Sequence, residues 1–170
     1  MAALRWIFFS FVMLALQATL VPHLAIAGIR PDLPLIAVVM LASARGSTAG
    51  TIGGFCIGLA QDLSNPAFLG LNALAKSLLG FAAGTLRVHL DAGSLPMRAA
   101  VLFVSVLGHD LVYLTILTRL ELSELFLGLV TRSLPTAFYT LVVGMWALAA
   151  LGALGRRGVH TRGRPALARR

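Results

Sequence analysis

Ser47 to Leu63, STAGTIGGFCIGLAQDL, carries no charge before Asp62 and spaces its glycines four apart, at 50, 54 and 58, after Gly46. An apolar run of about 17 residues is long enough for a helix to cross a hydrocarbon core of about 30 Å. A row of positions without side chains lets a second helix approach closely, and in lipid such packing replaces the hydrophobic effect. The row drifts by about 40° per step at 3.6 residues per turn, which suits a partner crossing at an angle. Its next step is Asp62.

The following apolar run, residues 69–86, carries a matching row: Asn72, Lys76, Gly80 and Gly84. The expectation is that these two helices pack against each other. The alternative is that one ridge receives a helix of another protein.

Working outward, the chain divides into further apolar runs. The expected spans are 4–21, ended by Pro22, then 33–44, 47–63, 69–86, 97–118 and 129–154. The second is short for a full crossing and holds Pro34. Turn chemistry marks the breaks: Arg30-Pro31-Asp32, Ser64-Asn65-Pro66 and Asp91-Ala92-Gly93. The reading is a single all-α domain, a polytopic integral membrane protein with a bundle of six transmembrane helices, followed by a disordered basic tail over 155–170. Composition agrees: 58% of the 170 residues are apolar and 12% charged, with a mean hydropathy of +0.90. Soluble domains carry about a quarter charged residues. Arg5 before an apolar stretch and Ala25-Ile26-Ala27 also fit a secretory signal; its length and the five runs that follow favour a retained first helix.

The net charge of +8 does not point to nucleic acid, because six of the fourteen basic residues lie after Leu154 and no aromatic-basic interleaving occurs. The basic residues instead set orientation. An Arg-rich tail on the cytoplasmic side and six spans place Arg5, Arg45, Arg87 and Arg98 inside, with Arg30, Arg119 and Arg132 at the outer face.

Several polar residues are costly where they fall. Asp62 and Lys76 lie near the outer ends of adjacent spans, where they either form an ion pair or sit at the aqueous boundary with Lys76 extended outward. Asp110 falls near the middle of the fifth span, where an acid is a functional candidate by default. A hydrogen-bonding role is expected of it rather than a relay; His109 points about 100° away on a helix and is not expected to form a dyad with it. Cys56, the single cysteine, reads as a packing residue, and Arg119, Glu121 and Glu124 as an interfacial stretch. No nucleophile–base set, phosphate loop or metal cluster is visible, so neither catalysis, a metal nor a cofactor is expected.

Pro31-Asp32-Leu33-Pro34-Leu35-Ile36, Gly50-Thr51-Ile52-Gly53-Gly54-Phe55, Gly58-Leu59-Ala60-Gln61-Asp62 and Leu69-Gly70-Leu71-Asn72-Ala73-Leu74-Ala75 together resemble the bacterial rod shape-determining MreD family. Their order and spacing over Pro31 to Gly84 carry the resemblance, and Asp110 matches a mid-membrane aspartate of the fifth helix. The resemblance implies a non-enzymatic scaffold of the cell-elongation machinery in the bacterial inner membrane, maintaining rod shape by organising peptidoglycan synthesis. It implies MreC, the MreB filament and the peptidoglycan synthases as partners, and a fold similar to the substrate-binding subunits of energy-coupling-factor transporters. Asp62, Gly70, Asn72 and Asp110 carry over by position as fold or partner residues. Pro31, Asp32 and the ridge positions Gly50, Gly54, Gly58, Gly80 and Gly84 join them as candidates. Lys76 and Cys56 are not family features, so Lys76 is a candidate on physical grounds alone. The tail would either rest on anionic membrane lipid, at about 1 kcal/mol per basic residue, or serve only as a topology signal, and a homo-oligomer is also open. The rival expectation is a vitamin-type substrate-binding subunit of a transporter, with Asp62, Asn72, Lys76, His109 and Asp110 as its polar groups.

Overall fold

A computed structural model describes residues 2–64, 66–86 and 95–159. Asn65, Arg87, the expected turn at 91–93 and residues 160–170 of the expected tail lie outside the described residues. The helices are α1 (Ala2–Thr19), α2 (Leu33–Arg45), α3 (Ser47–Asp62), α4 (Leu71–Thr85), α5 (Leu95–Leu117), α6 (Leu122–Gly128) and α7 (Leu134–Val159). The described residues contain no strand, and pairing outside helices is confined to one bridge between Ile26 and Ile29. That bridge closes a tight turn in which Ala27 and Gly28 both have positive φ, the geometry of a two-residue hairpin.

The expected second span, short and proline-bearing, turns out to be the centre of the molecule. Leu33 to Val39 and Ala42 of α2 are all buried. Each of the three apolar clusters contains α2 residues: Leu33, Ile36 and Val39 in one, Leu35 in the second, Ala37 and Val38 in the third. A helix that is apolar all round belongs in an interior. Pro34 sits in the first turn of α2, where its missing N–H would have had no intrahelical partner.

The two small-residue rows meet. A Cβ added to Gly50 would strike the backbone carbonyl of Gly80; at Gly54 it would strike Lys76, at Gly58 Asn72, and at Gly84 Ser47. Helices α3 and α4 therefore run antiparallel with backbone against backbone along their length. Between α2 and α3 the chain reverses at Gly46 alone, with φ 90° and ψ −176°, a region that only glycine adopts without strain.

Beyond α5, past the exposed Arg119 and Glu121, helix begins earlier than the expected start of the sixth span at 129. Arg119 and Leu120 turn through positive φ, and helix resumes at Leu122. A π turn, Leu129–Ser133, joins α6 to α7, and the Leu134 N–H reaches back to the Leu129 carbonyl. Pro135 follows at once. It has no N–H for the preceding turn and its ring crowds that turn's carbonyl, so the backbone widens there. Helix α7 continues to Val159, so residues 155–159 of the expected tail are helical.

Two helical segments, Pro96–Leu117 and Leu122–Trp146, are long and apolar enough to cross a membrane; Leu4–Thr19 and Leu33–Arg45 are shorter apolar helices. The exterior is largely apolar, and the interior holds polar groups beside its apolar clusters. Phe8, Phe11, Phe55, Phe81, Phe138 and Trp146 are exposed, while Asp62, Lys76, Ser105, His109, Ser133 and Thr140 are buried. So large an apolar exterior suits lipid contact.

Candidate functional site

The buried polar residues converge where α2 and α4 begin and α5 passes its midpoint. The buried N-terminus of α2 sets the problem: its first N–H groups have no intrahelical acceptor. Each is satisfied. The Leu33 N–H donates to Gln17 Oε1 at 2.9 Å, Pro34 has none, and the Leu35 N–H donates to Asp32 Oδ1 at 2.9 Å. The Ile36 N–H reaches the Asp32 carbonyl at 3.3 Å. The Asp32 N–H itself donates to Thr140 Oγ1 at 3.0 Å, which ties α2 to α7.

Asp32 then faces outward into a polar chain. Lys76 Nζ donates to Asp32 Oδ2 at 2.7 Å and lies 3.1 Å from His109 Nε2; His109 Nδ1 lies 3.0 Å from Asp110 Oδ1. An ammonium has donors and no acceptor, so Nε2 accepts and Nδ1 carries the ring proton, which it donates to Asp110. Lys76 is wholly buried and would be very costly without these two partners. Asp32 precedes α2, outside the helix proper. Burial pushes its carboxyl up, but the Lys76 ammonium, the nearby His109 and the hydrogen bonds from Lys76 and Leu35 outweigh this and hold it below its ordinary range.

Two expectations are thereby corrected. Lys76 pairs with Asp32, not Asp62, and it neither extends outward nor sits at a boundary. Asp62 is unavailable because its oxygens take four donors: the N–H groups of Gly70 at 2.9 Å, Asn72 at 3.2 Å and Ala73 at 3.1 Å, and Asn72 Nδ2 at 2.8 Å. It caps the N-terminus of α4 from the end of α3, and its charge complements the helix dipole. His109 and Asp110 do form a side-chain pair. A turn of 100° separates their directions, but the short aspartate and the Nδ1 position near the backbone bridge it.

The chain of side chains opens on a cavity of about 830 Å³, lined by residues 27–30, Asp32, Gln61, Asn72, His109, Asp110, Tyr113, Thr131, Arg132 and Thr136. The half-buried Asp110 reaches it, so it does not sit in bare hydrocarbon. Tyr113 stacks on His109 with ring centres 6.0 Å apart.

Of the candidates read from sequence, Asp32, Asn72, Lys76 and Asp110 come together here. Asp62 and Gly70 form the cap beside them, Pro31 is buried next to Asp32, and Gly50, Gly54, Gly58, Gly80 and Gly84 lie in the α3–α4 seam. Gln17, Thr140, Gln61, Tyr113, Arg30 and Arg132 belong to the site without having been singled out for it. Asp32-Leu33-Pro34-Leu35, an Asx residue before a proline-bearing first turn, is a capping signature that was legible. Nothing local marks the others. Among the described residues no group of three or more His, Cys, Asp or Glu side chains could hold a metal ion.

A helical protein with an apolar exterior, a glycine-lined helix pair and a polar cavity defines a membrane-embedded class. The family model described as rod shape-determining protein MreD matches residues 1–150. The chain belongs to the MreD family, a membrane protein family with a role in rod-shape determination. No curated protein and no solved structure matches it.

Proposed function

We propose that the chain is a non-enzymatic scaffold of the cell-elongation machinery in the bacterial inner membrane, where it organises peptidoglycan synthesis together with MreC, MreB and the peptidoglycan synthases. The observation that carries this reading is the family match over residues 1–150. In this proposal six spans cross the membrane, with both termini cytoplasmic. The apolar exterior supports it, and so does the α3–α4 seam, which makes a rigid unit without needing a partner. Because each glycine row is occupied by the other, a partner helix has to use an outward face instead, such as the exposed Phe8 and Phe11 side of α1.

The cavity favours a second reading, a small-molecule-binding subunit of a transporter, since several polar groups converge on an open cleft of ligand size. Depletion in a rod-shaped host, with cell outline and MreC co-purification read together, separates the two. Rounded cells with MreC recovered are expected of the scaffold. Normal rods and no MreC would overturn it, and a screen of vitamins against the purified protein would follow.

A further inference from the structure

We propose that the cavity is a binding site for a zwitterion, with an ammonium group at its floor and a phosphate or carboxylate at its rim. The inference rests on the cavity alone and does not depend on the scaffold role.

The floor has acceptors that lack donors. Asp110 Oδ1 receives the His109 proton, but Oδ2 has no partner among the described residues. Gln61 Oε1 is buried with no hydrogen bond. Asn72 Oδ1 lies 3.3 Å from His109 Nε2, which already accepts from Lys76, so two acceptors face each other. Gln61 Oε1 is the buried one, and a buried acceptor left unmade is costly, so a donor-rich group entering here removes that penalty, while the partly exposed Asp110 Oδ2 is open to the same group. Tyr113 also lines the cavity. The Lys76 charge does not oppose an ammonium group here, because Asp32 neutralises it.

The rim has the opposite character. Arg30, in the loop before α2, and Arg132, in the π turn before α7, both line the cavity and are exposed. Neither has an ion-pair partner among the described residues. Guanidinium groups from two separate elements suit an oxyanion held between them. A purely anionic ligand would set its charge against Asp110, and a purely cationic one would meet the two arginines. A molecule with an ammonium group a few bonds from an acid satisfies both ends. Two sources have this chemistry: the headgroup of phosphatidylethanolamine and a free zwitterion such as phosphoethanolamine.

The test uses the purified, delipidated full chain and native mass spectrometry. The probes are short-chain phosphatidylethanolamine, short-chain phosphatidylglycerol, which keeps the phosphate but lacks the ammonium, and free phosphoethanolamine. Phosphatidylethanolamine is expected to bind about tenfold or more tightly than phosphatidylglycerol, the scale of one charge-assisted contact. Arg132→Gln and Asp110→Asn should each weaken it by about tenfold, with Arg45→Gln at the opposite end of α2 unchanged. If Asp110→Asn does not fold, Arg30→Gln joins Arg132→Gln as the deciding pair, both being surface changes. Competition by free phosphoethanolamine identifies a soluble zwitterion, and lipid binding without competition identifies a headgroup; either supports the proposal. Equal binding of the two lipids, binding untouched by the arginine variants, or no saturable binding of any probe overturns it.

Discussion

Lys76 is fully buried and held by Asp32 Oδ2 and His109 Nε2. Removing one member of a buried pair leaves the other charge uncompensated, typically at about 3–5 kcal/mol. Lys76→Met should therefore lower stability by about that much, read as thermal unfolding in detergent. Asp32→Asn in the same chain should recover much of the loss, because the strand of buried charge is gone and the amide oxygen still caps Leu35. A double variant no more stable than Lys76→Met would show that the pair does not stabilise the fold. The sequence exposed the cost of Lys76 and Asp62 but not their partners. Asp62 and Lys76 are neighbours across one short loop, whereas Asp32 and Lys76 are 44 residues apart, with no spacing to connect them. What decided between the two acids was donor count: the loop and first turn of α4 had already saturated Asp62.

Among the elements, the α3–α4 pair was the most legible and α2 the least. Glycines every fourth residue on one helix and a matching row on the next can be read as a seam, because absence of a side chain has a direct geometric meaning. The seam also predicts an asymmetry between adjacent positions. A side chain at Gly54 meets the Lys76 backbone, which cannot yield, whereas at Gly53 it meets the end of the Leu41 side chain, which can rotate. Gly54→Ala should cost about 3 kcal/mol or more and Gly53→Ala less than about 1.5 kcal/mol, measured by unfolding of the two variants side by side. Equal losses would mean that α3 and α4 can separate freely. The centrality of α2 was hidden because length argues about crossing and not about neighbours. Its all-round apolar character was in the sequence, but burial depends on α1, α3, α4, α5 and α7 closing around it. The π turn before Pro135 was likewise hidden, since a proline near a helix start usually requires no such widening.

At the scale of the whole molecule, the short helices and the cavity explain one another. At 1.5 Å per residue α2 is about 20 Å long, α3 about 24 Å and α4 about 22 Å, against a hydrocarbon core of about 30 Å. The start of α2, the end of α3 and the start of α4 all adjoin the cavity, through Asp32, Gln61 and Asn72. In the proposed six-span arrangement, a polar cavity open to water at that end would shorten the apolar distance these helices have to cover and let irregular backbone lie at a depth that lipid would not tolerate. With the proposed inner-membrane location and cytoplasmic termini, this makes a topological prediction. In a Cys56→Ala background, a cysteine replacing Arg30 should react with a membrane-impermeant maleimide applied from the periplasmic side. A cysteine replacing Arg45, at the far end of the same helix, should react after the inner membrane is opened and not before. A cysteine replacing Asn72 should behave like the one at Arg30 despite lying within a helix, because the cavity carries water to it. Labelling at 30 and 45 from the same side would remove α2 as a crossing element. Protection at 72 together with labelling at 30 would keep the crossing but close the cavity to water, and the shortness of α2, α3 and α4 would then have to be met by thinning of the bilayer itself.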